Sequence, residues 1–541
     1  MTTGTTTREQ DPDLGASRRR WLGMVIISLG VSLIIIDATI VGVLMPRMVT
    51  DLNLRTTDAE WVTSIYSLVF AAFLISFGRA GDLFGRRRLF ILGTVVFMVA
   101  SVLAALTHSG PELIGARAIQ GIGASMIMPA TLSTVNTVFT GKDRAIAFGI
   151  WGSLIGGMAA VGPLLGGWLA TSYSWRWAFG VNLPLGLIVI VGALRLVPET
   201  RDRDARRGID WAGAALSALG LGALVFALIE GQRYGWWTPT RQFTAGSWTW
   251  PLTGLSPIPI AMVMSAVLIA ALLRVERARA ARGRPVVLDL SLLRIASFRR
   301  GSAVSSLISV GELGLLFVLP LFLQNVHGNS PLQISVAIVP LALGAFLSGG
   351  LAARLSHRHG APRVVQLGMA LEVAAVLGIG LTTHTGTTGF ALAPWMLLYG
   401  FGLGLTSAQL TNVALGDVPR GQSGQASGTQ STARQIGSAV GIALIGTVFA
   451  TSLSHVMQAK LESSGMPAPR SAVLSHELRE SAGTSAFTLP PAGAVRQAAD
   501  EALAVATDRA AFTTAAILGL GFLLTLRLRT TRRSTTDHRR E

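Results

Sequence analysis

Asp37 lies in WLGMVIISLGVSLIIIDATIVGVLM (21–45), a run otherwise apolar and long enough to cross a lipid bilayer. A carboxylate at membrane depth is costly unless it is paired, hydrated or protonated, so an acid there marks ion or substrate chemistry. A second charge, Arg117, sits a few residues into another apolar stretch, LIGARAIQGIGAS (113–125), with Gln120 and Gly121 one turn away. Its guanidinium stays charged and must either find acceptors in the interior or snorkel to an interface; with Asp37 it offers a buried pair whose balance changes when a proton or cation arrives. Glu312, in VGELGLLFVLPLFLQ (310–324), and Glu372, in LGMALEVAAVLGIG (367–380), have no neighbouring base in sequence. Each must face protein or water, as a second proton carrier or as an attractor of cationic substrate. Glu230 ends another apolar stretch and reads as an interfacial acid.

The elements that position these charges are membrane helices. Half of the 541 residues are hydrophobic and only 13% are charged, too apolar a composition for a soluble protein of this size. The net charge of +17 comes from short arginine clusters at the ends of apolar segments, with no basic recognition module, so it reports topology and excludes nucleic acid as a partner. The absence of cysteine excludes disulfides and Cys-ligated metal or iron–sulfur sites. Fourteen spans are read: 21–45, 61–80, 89–107, 113–138, 145–170, 178–197, 210–230, 258–273, 301–325, 333–353, 364–383, 391–416, 432–452 and 510–528. The connections 81–88, 141–144, 199–208 and 274–300 are rich in arginine, which places them and both termini in the cytoplasm.

A small-residue helix end followed by a basic, Gly-containing turn occurs twice, as GRAGDLFGRRRLF (78–90) and GLAARLSHRHGAPRVV (350–365). This echo implies two six-helix repeats with the seventh and eighth spans inserted between them, and a transport site between the repeats near mid-membrane. The expected organisation is a tail (1–20), a six-helix bundle (21–197), two inserted helices with their loops (198–300), a second bundle (301–528) and a tail (529–541). Residues 453–509 are too polar to span; they read as a solvated outward loop, with 493–509 extending the last helix.

Several motifs carry a family resemblance. GRAGDLFGRRRL (78–89) is similar to the loop signature after the second helix of the major facilitator superfamily, and LIGARAIQGIGAS resembles its fourth-helix motif. GGMAAVGPLLGGWL (156–169) is similar to the fifth-helix motif that marks exporters, while SWRWAFGVNLPLG (174–186), IIDATIVGVLMP (35–46) and RQIGSAVGIALIGTVF (434–449) resemble the fourteen-helix drug:proton antiporters. The resemblance covers nearly the whole chain. Two departures are local: Met158 stands four residues before Gly162 where the family usually has Gly, and Gly42 stands where it commonly has Asn.

The implied fold is all-α and polytopic, two six-helix bundles plus two inserted helices. The implied function is proton-coupled export of amphipathic or cationic organic compounds across a bacterial cytoplasmic membrane, with protons, substrate and the bilayer as partners, no cofactor, and a single chain as the working unit. Asp37, Arg117 and Glu312 are the expected coupling residues. Gly78, Gly81 and Gly85 permit a tight turn and close helix approach, while Asp82, with Arg86 and Arg87, pairs with arginines or caps a helix in a latch. Gly162, Pro163, Gly166 and Gly167 kink and thin the fifth helix. Gln324, Gln409 and Asn412, with Glu372, read either as cavity liners or as polar packing contacts. A lipid or lipid-linked precursor transporter and a nutrient importer are the rival readings. An enzyme ranks behind them, because the sequence carries no nucleophile–base or HExxH motif and no soluble catalytic domain.

Overall fold

A computed structural model describes residues 12–54, 56–202, 208, 210–245, 248–329, 331–481, 483, 486 and 493–528. Most of the two tails, Arg55 and part of the 199–208 connection therefore lie outside the described residues. The first bundle contains α1 (Pro12–Asp51), α2 (Thr56–Phe84), α3 (Arg86–Ala105), α4 (Gly110–Val138), α5 (Gly141–Ser172), the short α6 (Arg176–Gly180) and α7 (Asn182–Leu196). Two helices follow, α8 (Trp211–Tyr234) and α9 (Pro257–Ala281), joined through a small hairpin that pairs Thr244 with Thr249. The second bundle contains α10 (Ala296–His327), α11 (Pro331–His359), α12 (Ala361–Thr382), α13 (Gly389–Gly416), α14 (Ser423–Ser463), α15 (Ala468–Glu480) and α16 (Ala494–Thr525).

Among the described residues, thirteen helical segments are long and apolar enough to cross a membrane, with α6 and α7 together forming one of them. The 32-residue α5 covers the remaining apolar stretch of the fourteen read from sequence. These are long uninterrupted helices because a bilayer core offers no water to the backbone, so each N–H and C=O must be satisfied within its own segment. Met24, Ile27, Phe90, Phe97, Ile127 and Val189 are buried in the first bundle, and Leu315, Phe322, Met369, Val376 and Tyr399 in the second. The inserted pair α8–α9 packs on α2 and α14 through Ile75 and Leu221. Its outer face carries exposed Ile260, Val263 and Val267, as a lipid-facing helix should.

The repeated turn has the same geometry twice. Gly85, before α3, has φ 110°, and Gly360, before α12, has φ 86°. Both values lie where side chains with a Cβ are strained, so glycine is what permits each helix pair to fold back so tightly.

The outward segment differs from its expected form. Instead of a solvated loop with one amphipathic stretch, α14 continues to Ser463, α15 folds beside it and α16 begins at Ala494. Leu453, Met457, Leu461 and Leu478 are buried against Ala499, Ala502 and Leu503. Apolar residues at 453, 457 and 461 share one helical face, and covering that face creates a small core beyond the membrane segments. Arg496 locks it down by donating to the Asn325 carbonyl at 2.9 Å, at the end of α10.

The two bundles meet through glycine. A Cβ on Gly349 of α11 would collide with Ser153 and lie 2.7 Å from the Gly149 carbonyl of α5, while one on Gly428 of α14 would lie 2.6 Å from the Leu74 carbonyl of α2. Such close approach maximises dispersion contact where no hydrophobic effect separates helix from lipid. Gly349→Leu should therefore cost about 1–3 kcal/mol through overpacking, read as a lower melting temperature of the purified protein. Gly42→Ala, whose added Cβ meets nothing within 4 Å and whose helix propensity is higher, should not lower that temperature.

Candidate functional site

Asp37 is fully buried on α1. Its carboxylate accepts from Arg117 of α4, from Gln120 Nε2 at 3.0 Å and from Asn182 Nδ2 of α7 at 3.0 Å. Arg117 also donates to the Gln120 Oε1 at 2.7 Å and to the Val62 carbonyl of α2 at 3.3 Å, and its guanidinium carbon lies 4.3 Å from the centre of the Tyr66 ring. Ser101 of α3 closes the circuit, accepting from Gln120 at 2.9 Å and from Asn182 at 3.1 Å. Five helices thus converge on one charge. The two ionised groups compensate each other, and the amides satisfy the remaining lone pairs, which is the condition for burying an ion pair at all.

The α5 motif is pressed against the turn of α1 that carries this acid. A Cβ at Gly162 would fall on Thr39 and 2.9 Å from the Ile36 carbonyl, and one at Gly166 would reach Ile40 Cγ1 at 3.0 Å. Gly167 and Pro163 lie on the same helix. Any shift of α5 is therefore transmitted to the segment around Asp37 by contact.

Asp82 ends α2, fully buried, and accepts from Arg86 Nη2 at 2.6 Å and Nε at 3.2 Å. It also accepts the backbone N–H groups of Gly424 and Gln425 at 2.8 and 2.9 Å. Those amides open α14, so a carboxylate from the first bundle caps and neutralises the positive end of a helix in the second. Arg86 extends the same knot to Thr137 of α4 and to the Arg420 carbonyl at 2.8 Å. Arg87 reaches the Val197 carbonyl at 3.3 Å, and Glu199 accepts the Arg87 and Arg88 backbone amides at 3.2 and 3.3 Å. Glu199 occupies the space that a Cβ on Gly85 would need, and Gly78 lies against Gly424.

A second tie lies between α5 and α13. Arg144 donates to Asn412 Oδ1 at 2.9 Å and to the Gly416 carbonyl at 3.3 Å, while Gln409 donates to the Ala145 carbonyl at 3.3 Å. Gln409 and Asn412 are thus fasteners between the bundles at the end bearing the arginine-rich turns, the basic end. Gln324 lies at the opposite end, in the last turn of α10.

In the second bundle Glu312 faces Arg434 of α14 at 3.5 Å, both partly exposed. The spacing is set by Gly437 and Gly441, which seat α14 against the carbonyls of Ser306 and Val310. Glu372 is fully buried on α12 beside Gly402 of α13, with the Thr406 hydroxyl of α13 as its polar neighbour and, among the described residues, no basic partner in a salt bridge. Among the described residues the buried Tyr399 hydroxyl has no hydrogen-bond partner. Glu230, expected at an interface, is buried and pairs with Arg233 at 3.3 Å, which also holds Glu60 at 2.6 Å.

Sequence reasoning missed the third donor to Asp37. Asn182 stood inside a quoted motif, yet nothing in its spacing tied it to a residue 145 positions earlier. Ser101, Tyr66, Arg144 and Arg434 gave equally little local signal, because each acquires its partner only from another helix.

Comparison with known proteins agrees with this architecture. The family model described as Major Facilitator Superfamily matches residues 27–229 and 207–442. The probable actinorhodin transporter of Streptomyces coelicolor is 33% identical over 444 residues, 80% of this chain and 72% of that one. The puromycin resistance protein of Streptomyces alboniger is 33% identical over 439 residues, 80% and 82% of the two chains, and the multidrug efflux pump LfrA of Mycolicibacterium smegmatis is 30% identical over 432 residues, 80% and 81%. The crystal structure of the human organic anion transporter MFSD10 superposes with a TM-score of 0.59 at 17% identity, covering 95% of this chain and all of that one, a likeness of fold. With its paired helical bundles, its buried charge network and these relatives, the chain belongs to the Major Facilitator Superfamily and is a multi-pass membrane transporter.

Proposed function

We propose that the protein exports amphipathic, often cationic organic compounds from the cytoplasm in exchange for protons, with Asp37 as the coupling acid and the basic end facing the cytoplasm. The relatives named as antibiotic transport, resistance and efflux proteins support the substrate class. The arginine-rich turns support the orientation. The observation that carries the mechanism is the Asp37 network: a carboxylate paired with Arg117 and held by amides from two further residues.

Protonating Asp37 removes half of a buried ion pair and leaves Arg117 charged without its partner, a change of several kcal/mol that the surrounding helices must relieve by moving. Because α5 rests on Ile36, Thr39 and Ile40, that movement reaches the α5–α11 contact. The Asp82 latch and the Arg144 tie hold the basic end closed, which supports a state open toward the other side. Proton arrival from outside and substrate arrival from the cytoplasm then alternate, each favouring a different charge on the site. The Glu312–Arg434 pair is a second titratable element of the same cycle, and one chain contains all of these parts.

Two outcomes follow. In inverted vesicles, Asp37→Asn should abolish substrate-induced proton flux and lower the melting temperature, since breaking a buried pair costs about 3–5 kcal/mol. Adding Arg117→Gln should restore the melting temperature but not the flux; flux at wild-type level in either variant sinks the assignment. For the latch, the natural absence of cysteine allows a reporter at Ser427→Cys, a buried position of α14. Asp82→Asn should raise labelling of that reporter from the basic side about tenfold or more, because a neutral amide is a weaker cap for the α14 amides.

A further inference from the structure

A cavity of about 800 Å³ opens at the seam between the bundles on the basic end, where Lys142 and Ile146 of α5 face Arg354, His357 and Arg358 of α11. Its lining contains no Asp or Glu. Among the described residues Lys142, Arg354 and Arg358 have no carboxylate partner, whereas Arg20 pairs with Asp143, Arg86 with Asp82, and Arg87 and Arg88 with Glu199. Below them α11 presents Leu343, Leu347 and Leu351, all exposed, and the same face continues into Arg354 and Arg358 at spacings of three and four residues. Ile146 adds an exposed apolar wall from α5.

We propose that this cavity is a binding site for an anionic phospholipid of the surrounding bilayer, its phosphate held by Lys142, Arg354 and Arg358 and one acyl chain lying along Leu351, Leu347 and Leu343. A strip of lipid-facing leucine that ends in unmatched arginines has the length and polarity order of a lipid molecule, and a basic pocket between membrane helices suits an acidic head group. The cations come from both bundles, so the phosphate bridges them and holds the basic end shut. The inner leaflet as the source of this lipid rests on the orientation proposed above; the binding does not rest on export or proton coupling.

Purified protein in nanodiscs of phosphatidylcholine mixed with phosphatidylglycerol should release, in native mass spectrometry, complexes that retain phosphatidylglycerol preferentially. The variant Lys142→Ala/Arg354→Ala/Arg358→Ala should reduce that preference about tenfold or more, while Arg354→Lys/Arg358→Lys keeps most of it. Wild-type retention should also weaken with rising salt, a readout independent of any variant's folding. Equal retention of the two lipids, undiminished preference in the triple variant, salt-independent retention, or displacement of the lipid by inorganic phosphate would each overturn the proposal, the last by marking a free-anion site.

Discussion

A carboxylate buried where water is excluded has to be matched by charge and by hydrogen bonds, and the first bundle is arranged around meeting that demand for Asp37. Arg117 supplies the opposite charge, Gln120 and Asn182 supply amide donors, and Ser101 and Tyr66 hold those partners in place. In a low-dielectric interior each of these interactions is strong when made and expensive when lost. The network therefore ties the one carboxylate of Asp37 to α1, α2, α3, α4 and α7 at once. Gly42, where the family commonly has an amide, stands open to its surroundings, and the donors come from α4 and α7 instead.

The contacts that join the bundles are of two kinds. Gly149 with Gly349, and Gly78 with Gly424 and Gly428, bring backbones together through dispersion alone. Such surfaces can separate and re-form without leaving a charge unpaired. Asp82 on the α14 amides and Arg144 on Asn412 and Gly416 are directional, and they favour one arrangement over others. These cross-bundle contacts lie in the halves of α2, α5, α11, α13 and α14 nearest the basic end. A transporter that alternates between two faces needs this combination, smooth packing that permits motion and a few polar locks that define its endpoints.

The second bundle is built differently. Its exposed pair, Glu312 and Arg434, sits on two helices held close by Gly437 and Gly441, whereas Glu372 is enclosed between α12 and α13. Three acids that look alike in sequence, each a lone carboxylate in an apolar run, thus occupy three environments: a charge-paired network, a partly solvated pair and an enclosed pocket without a basic partner among the described residues. The differences follow from which face of each helix the acid occupies and which neighbour meets that face, neither of which is a local property.

The sequence by itself determined the membrane spans, the basic end, the repeated turn and the identity of the costly charges. These follow from short-range chemistry: apolar runs of bilayer length, glycine at a turn with positive φ, and the expense of Asp37 or Arg117 in hydrocarbon. It also made the Asp37–Arg117 pair and a helix-capping role for Asp82 legible as options. Only the tertiary structure decided that Asp82 caps α14, that Asn182 completes the Asp37 site, that Gln409 and Asn412 fasten the bundle seam, and that residues 453–509 contain a packed helical core. The reason is geometric: helical periodicity reveals which residues share a face, but the partner across that face lies one or several hundred residues away and is chosen by how the helices stack.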